Sequence, residues 1–499
     1  MSESVSSVRR LWDRPIVPIA IVLIGLFLSL YRIDAQSLWG NEAFSVNASS
    51  KSPAEMHGIL VQDFVNPPLH YYLLHVWMRL LGTGSLQARL LSAIFGALAI
   101  GMSYLLGKYL FDRRTALLAA AVLAVSQIRI QYSQEVRSYE LLLLLTVCAA
   151  YFLVRALNER SVFLWWAFVL ATAAMMYTHY FSIFAAGVMY AYALLFRRKY
   201  QLPLVRLLGG VIIVGALLAP WLASGVIEQA LHSPKVRPAN QAPWFSVHWW
   251  TVGTTVNRLN NGYYFAVEYG SKWWNYLVGV LLLSIPAALA LKPLFHRRPA
   301  EERAAAERER LLFLAALFVI PLCCLLALGV LKVQYHPRYV LHFVVPYYLL
   351  VARGLLSLNS PALRRGLISL LLIYSLGSLH ALYFTSYKED YRGALGEVAR
   401  GYREGDCALF VPKEIPLQWS IYYGDPSKLR VVTADQALRD GATCRRIWAV
   451  SYCRADGTCA GAHRELQSLQ PQFTPLELKR YFWVETQLYG LSSSIAPAQ

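Results

Sequence analysis

The sequence predicts an all-α polytopic membrane protein with a small α/β domain at its C-terminal end. Three observations predict it. Of 499 residues, 57% are hydrophobic and 15% are charged, against roughly a quarter charged in soluble domains. Apolar stretches of about 20 residues, enough to cross a hydrocarbon core of about 30 Å, recur along most of the chain. After residue 384 the composition changes, and short apolar runs alternate with Gly, Asp and Pro.

Eleven spans are read, near 15–32, 89–107, 115–132, 139–156, 162–178, 181–196, 204–222, 273–291, 311–331, 339–357 and 366–384. The first follows Arg9, Arg10 and Arg14 with no small-residue cleavage site behind it, so it is expected to be retained. With the N-terminus cytoplasmic, the inner loops hold Lys108, Arg113 and Arg114; Arg155 and Arg160; Arg197, Arg198 and Lys199; and Arg364 and Arg365. The longest, 292–310, carries Lys292, Arg297, Arg298, Arg303, Arg308 and Arg310. This positive-inside bias accounts for the net charge of +18 without a nucleic-acid partner. Spans 115–132, 162–178 and 181–196 are short or interrupted, as where broken helices line a cavity.

The expected domains are a membrane domain, 1–384, with outer loops 33–88 and 223–272, and a soluble outer domain, 385–499. In the first loop Ser52-Pro53-Ala54-Glu55 reads as a helix start, followed by Met56, Ile59, Leu60 and Phe64 at helical spacing. The second is aromatic, with Trp244, Phe245, Trp249, Trp250, Tyr263, Tyr264, Phe265, Trp273 and Trp274: either interfacial anchors or a lid. In the outer domain, 407–412, 430–433 and 447–452 read as strands. Cys407, Cys444, Cys453 and Cys459 suit disulfides, with Cys407/Cys444 and Cys453/Cys459 the preferred pairs. Zinc is disfavoured, because no pair has C-x-x-C spacing. Cys148, Cys323 and Cys324 fall within spans and read as packing residues.

Polar motifs gather on the outer side. Glu42, behind Trp39 and Asn41, could accept a proton if burial raises its pKa, or simply cap a helix. Asp63, Asn66 and His70 flank Pro67, which forces Asn66 toward extended backbone. Glu135 and Arg137, beside Gln134 and Tyr139, need water, each other or a ligand so near lipid. His179 and Tyr180 fall where two apolar runs meet. His336, Arg338 and Tyr339 precede another span, and Arg338 could snorkel or bind a phosphate. As a set, acids and arginines on one face suit transfer at an anomeric carbon, which needs a base and cations for a departing phosphate.

Their order resembles the polytopic GT-C glycosyltransferases, in particular bacterial relatives of the protein O-mannosyltransferases and of the lipid A aminoarabinose transferases. The resemblance covers roughly residues 15–385. It rests on Leu38-Trp39-Gly40-Asn41-Glu42-Ala43, Asn66-Pro67-Pro68-Leu69-His70-Tyr71-Tyr72, Ala88-Arg89-Leu90-Leu91-Ser92, Gln134-Glu135-Val136-Arg137-Ser138-Tyr139, Thr178-His179-Tyr180 and Pro337-Arg338-Tyr339. The resemblance implies the GT-C fold and inverting transfer of a sugar from a polyprenyl-phosphate donor to a glycan, glycolipid or protein acceptor. It places the chain in the bacterial inner membrane with its site facing the periplasm.

In that family an Asp-Glu pair supplies the base, and here the pair reads Asn41-Glu42. The base role therefore passes to Glu42 first, with Asp63 and Glu135 as the other candidates. Arg137 and Arg338 are implied as carrier-phosphate ligands, Tyr139 and Tyr339 as walls of the sugar pocket, and Gln134 or His179 as hydroxyl ligands. Asn41, Asn66, His70, Tyr180 and His336 complete the candidate donor site. No cofactor is assigned. Some aminoarabinose-transferase relatives hold a divalent cation and many O-mannosyltransferase relatives need none, so a cation stays open. A lipid transporter and a non-catalytic scaffold are the competing classes.

Overall fold

A computed structural model describes residues 15–232, 249–261, 277–295, 302–330, 336–411, 415–439, 444–453, 460–470 and 472–492. Most of the aromatic loop residues expected between 244 and 274, Arg297, Arg298 and Cys459 lie outside the described residues. The chain forms two compact units. One comprises Met1–Tyr31, Pro53–Leu73 and Arg89–Thr385, and the other Arg32–Ser52, Leu74–Ala88 and Ser386–Gln499.

The first unit is helical. Six helices are long and apolar enough to cross a membrane: Ser85–Leu110, Tyr139–Glu159, Leu204–His232, Glu302–Val330, Arg338–Leu356 and Pro361–Phe384. Arg113–Ala124 and Gln127–Ser133, bent by 57°, make a seventh if the pair is one span. The chain is thus an all-α polytopic protein, with six or seven such helices among the described residues where the sequence predicts eleven spans. The remaining apolar runs are shorter helices: Ile16–Leu30, Val162–Met176, Ser182–Leu195 and Leu277–Ala290. At about 1.5 Å per residue a 15-residue helix covers only about 22 Å, less than a hydrocarbon core of about 30 Å. Composition alone does not register the turns that shorten them, such as the one at Arg32 with φ 55°.

The bend at Val125–Ser126 is stabilised by a charge that no periodicity reveals. Arg129 is 0% exposed, and a bare buried guanidinium would be very costly. All five of its N–H donors find acceptors. Nε and one Nη2 hydrogen reach the carbonyls of Leu123 and Ala124, at the helix end that the break opens. The others reach Gly25 O, Ser29 Oγ and Ser133 Oγ. Ser133 Oγ in turn lies 3.1 Å from Glu140 Oε1. The break, expected from sequence to line a cavity, is a polar knot inside the bundle.

Elsewhere the bundle is closely packed. A Cβ on Gly354 would lie 1.7 Å from the carbonyl oxygen of Pro286, so glycine alone lets helices Ile285–Ala290 and Val344–Leu356 approach this closely. Gly225, at φ 99°, allows the π-turn Leu222–Val226 to interrupt the helix that follows Leu204.

The second unit contains a four-stranded sheet of order β1-β2-β4-β3: β1 Asp406–Val411, β2 Arg446–Tyr452, β3 Phe473–Tyr481 and β4 Val484–Leu491. β1 runs parallel to β2, while β4 is antiparallel to both β2 and β3. Alternation sorts the two faces. Ala408, Phe410, Trp448 and Val450 pack with helix Tyr391–Gly401, and Cys407, Leu409, Ile447 and Ala449 with Ala434–Arg439. The expected strand at 430–433 is a single bridge between Val431 and Ala408. Cys407 and Cys444 form the expected disulfide, with Cα atoms 5.5 Å apart. Cys453 is disulfide-bonded as well.

Candidate active site

The helical unit draws most of the sequence candidates together. The expected surface helix forms at Pro53–Asp63, burying Met56 and Leu60. Phe64 then takes a left-handed φ of 44°, while its N–H still bonds Leu60 O at 2.9 Å. This sharp turn brings Asn66 back beside the end of its own helix, where Asn66 Nδ2 donates to Asp63 Oδ2 at 2.7 Å. Pro67 and Pro68 are buried, and helix Leu69–Leu81 begins where Leu69 N–H meets the Tyr177 carbonyl.

Arg137 occupies the short connection between Ser133 and Tyr139. Its Nη2 donates to Asn66 Oδ1 at 2.9 Å, and its Nη1 lies 3.4 Å from the Tyr71 hydroxyl. Asp63, Asn66 and Arg137 therefore form one relay from carboxylate through amide to guanidinium. Arg137 also stands over the Tyr139 ring, 5.9 Å from its centroid. Arg338 stands 5.9 Å from the same centroid and 5.5 Å from that of Tyr339. The His336 Nδ1 accepts the Arg338 backbone N–H at 3.2 Å, capping the short helix that presents this arginine. Glu135 is buried in the same connection, and its carboxylate acts electrostatically on Tyr132 and Tyr139.

Three histidines border the arginines, and all are driven neutral. Burial, and then the Arg137 charge, lowers His70 to about 3. Packed rings exclude water from His179 and, with Arg137 and Arg338, lower it to about 3. Those rings are Tyr139, Phe181 and Tyr339, at 6.3, 5.3 and 5.3 Å. Burial and the Arg338 charge also hold His336 well below its ordinary value. Neither ring nitrogen of His70 has a hydrogen-bond partner among the described residues. One buried guanidinium, Arg137, and one half-buried one, Arg338, stand with neutral imidazoles beside the carboxylate of Glu135, and planar forks match phosphate oxygens.

Two candidates serve the scaffold in this conformation. Gln134 Nε2 donates to the carbonyls of Ser29 and Tyr31 at 3.0 and 2.8 Å, closing the end of helix Ile16–Leu30. The Tyr180 hydroxyl accepts from Trp221 Nε1 at 3.0 Å. Asn41 and Glu42 belong to the other unit. There Glu42 is fully buried near the start of helix Gly40–Ser50, where its Oε2 faces the Trp39 N–H at 3.5 Å. Lys388 Nζ donates to the same oxygen at 2.9 Å. Lys388 carried no signal in the sequence, where it stands as one lysine beyond the last apolar run. Tyr71 was visible only as part of a motif. Among the described residues, no group of three or more His, Cys, Asp and Glu is arranged to hold a metal ion.

An apolar groove of about 350 Å³ lies between helices Ser182–Leu195 and Glu302–Val330. Phe184 lines it and stacks 6.3 Å from Phe181, whose ring meets Tyr339 at 5.1 Å. The groove continues past Val188 to Tyr192 and Leu312.

The fold defines a class. ArnT from Cupriavidus metallidurans in the apo state superposes with a TM-score of 0.59 at 15% identity, covering 96% of this chain and 99% of that one. Its undecaprenyl phosphate complex gives 0.56 at 14% identity with the same coverage. AglB, the archaeal oligosaccharyltransferase from Archaeoglobus fulgidus, gives 0.50 at 11% identity over 96% and 75% of the two chains. The chain has the GT-C fold. By sequence, residues 65–223 match the profile of the family described as Dolichyl-phosphate-mannose-protein mannosyltransferase. No curated protein matches the chain by sequence.

Proposed function

We propose that this protein is a glycosyltransferase that takes a sugar from a polyprenyl-phosphate carrier and transfers it with inversion to an acceptor. The observation that carries this reading is the placement of Arg137 and Arg338 about one ring, Tyr139, with Tyr339 joined through Phe181 to Phe184 in the wall of an apolar groove. The guanidiniums take the carrier phosphate and the groove takes the first part of the polyprenyl tail. Support comes from the family match over residues 65–223. It comes also from the undecaprenyl phosphate and dolichol-phosphate held by the two fold relatives. The acceptor is a cell-envelope glycan or glycolipid, with protein as the second choice.

In the reaction, a carboxylate removes the proton of an acceptor hydroxyl. The hydroxyl oxygen bonds to the anomeric carbon from the face opposite the phosphate, and the anomeric carbon–oxygen bond to the phosphate breaks. The electron pair leaves with the carrier phosphate, where the two guanidiniums stabilise the added charge. Attack from the opposite face inverts the configuration. Tyr139 and Tyr339 wall the sugar, and the neutral imidazoles of His70 and His179 exchange hydrogen bonds with its hydroxyls without adding charge.

The motif pattern gives the base role to Glu42, whereas the geometry favours Asp63. Glu42 is buried and held by Lys388, and Glu135 is buried beside the arginines. Asp63 is half-buried, so a hydroxyl can reach it, and Asn66 couples it to Arg137. We assign the base to Asp63 and a scaffold role to Glu42.

The proposed location is the bacterial inner membrane with the site on the periplasmic face. Six helices, or seven with the bent pair as one span, are long enough to cross among the described residues, and residues 385–499 are assigned to the periplasmic side. The test is purified protein given a labelled polyprenyl-phosphate sugar and native envelope extract. Acceptor-dependent release of carrier phosphate is expected; no release from a folded protein overturns the reading.

A further inference from the structure

A charged cavity lies at the other end of the helical unit. It measures about 270 Å³ and is lined by Phe111, Asp112, Arg303, Glu307, Arg310 and Arg353. Arg338 and Arg353 mark opposite ends of one apolar segment, Arg338–Leu356. With the first turns in a 3-10 helix at about 2 Å per residue and the rest α-helical at about 1.5 Å, their separation of 15 positions amounts to roughly 25 Å along the axis. This is the depth of much of a hydrocarbon core, so under the proposed topology, on which this inference rests, the cavity opens at the cytoplasmic surface together with the basic loops.

Three guanidiniums face two carboxylates here, and the internal pairings decide which charges remain. Glu307 Oε1 accepts from Arg353 Nε at 2.9 Å and from Nη2. Asp112 Oδ2 lies 3.7 Å from Arg353 Nη1, while the same carboxylate caps helix Arg113–Ala124 through the Thr115 N–H and hydroxyl, at 3.0 and 2.9 Å. Arg353 also stands 5.6 Å from the Phe111 ring centroid, so it is held as part of the wall. Both acids are thereby engaged by Arg353. Three guanidiniums against two carboxylates leave one net positive charge, and Arg303 and Arg310 present the two forks other than that of Arg353. Arg303, Glu307 and Arg310 follow at i, i+4 and i+7 on helix Glu302–Val330, which puts them on one face. Arg310 spends one donor on the Leu110 carbonyl at 2.7 Å, which fixes its fork at the cavity wall. Arg303 is exposed at the mouth.

We propose that this cavity is a binding site for a phosphate-bearing anionic group, with Arg303 and Arg310 as its ligands and Arg353 as the fixed wall behind them. Its position at a membrane surface makes an anionic phospholipid headgroup the expected source. Basic pockets between membrane helices on the cytoplasmic side hold such headgroups, and two arginine forks match phosphate oxygens better than lysine ammoniums do. The site is distinct from the one formed by Arg137 and Arg338.

The test uses the full chain in detergent, exposed separately to phosphatidylglycerol vesicles, phosphatidylcholine vesicles and inorganic phosphate, with retained ligand read by native mass spectrometry. Wild-type protein should retain phosphatidylglycerol at least tenfold over phosphatidylcholine. Arg303→Glu with Arg310→Gln should abolish that preference, while Arg303→Lys should keep part of it with an unchanged Tm. Retention of inorganic phosphate that the double variant loses would make free phosphate the source of the same group. Equal retention of the two lipids together with no phosphate binding, or a double variant that binds as wild type does, overturns the site.

Discussion

Arg137 and Arg338 share one aromatic ring: each guanidinium carbon lies 5.9 Å from the centroid of Tyr139. They come from segments about 200 positions apart in the chain, so the coincidence is a property of the fold. Glu135, buried in the connection that carries Arg137, supplies a carboxylate close by, and two planar forks at one ring suit a phosphate as a further anionic ligand.

Removing either fork should weaken the hold on the departing phosphate. Arg338→Ala is expected to lower kcat/KM for the lipid-linked donor roughly 100-fold or more, in the range of lost transition-state donors. Arg338→Lys should fall between, since it keeps the charge but not the planar fork. A donor titration with each variant checks this, and a change under twofold for Arg338→Ala would remove the arginine from the site.

The three candidate carboxylates should separate by readout. Asp63→Asn is expected to cut kcat roughly 100-fold with little change in Tm, as for a lost general base. Glu42→Gln breaks the buried ion pair with Lys388, so its main effect should be a fall in Tm, corresponding to about 3–5 kcal/mol. Asn66→Ala breaks the link between Asp63 and Arg137 and should raise donor KM about tenfold, near the cost of one charge-assisted hydrogen bond. If Glu42→Gln instead abolishes turnover at unchanged Tm, the base is Glu42.

Acid should destabilise the helical unit through its neutral histidines. His70 sits at about 3 in the folded protein, below its ordinary value near 6.5. The unfolded chain therefore binds more protons than the folded one between these two values, and stability falls as pH drops through that window. At pH 5 this one residue costs about 2 kcal/mol relative to pH 8. His179, lowered to about 3 as well, acts in the same direction. Tm measured from pH 8 to pH 5 should fall in wild type and fall less steeply in His70→Gln. Parallel slopes would show that His70 is not held neutral.

The disulfide stabilises the sheet unit. It closes a loop of 37 positions between Cys407 and Cys444, which in the chain-entropy account amounts to about 4 kcal/mol. Paired serine substitutions, Cys407→Ser with Cys444→Ser, should lower the Tm reported by Trp448 fluorescence in the full chain. An unchanged Tm would place the stability of this unit elsewhere.

The membrane class and the site motifs were legible because hydropathy and charge act locally. Apolar runs show themselves over about 20 residues, and Asn66-Pro67-Pro68 announces its own turn. What stayed hidden depends on partners far away in the chain. Arg129 sits in an apolar stretch as a lone charge, and its role emerges only from carbonyls of two other helices. Lys388 has meaning only through Glu42, which precedes it by 346 positions. In the sheet, β1 and β2 are buried on both faces and read as apolar runs. β3 is an edge strand, largely exposed and rich in charge from Glu477, Lys479 and Arg480, so it offered no alternation to read.

The most direct measurement is an experimental structure of the protein with a polyprenyl phosphate bound. The expected result is a phosphate within hydrogen-bonding distance of both the Arg137 and Arg338 guanidiniums, with the tail entering the groove beside Phe184 and Val188. A phosphate seated elsewhere, with the two arginines still closed over Tyr139, would contradict the account.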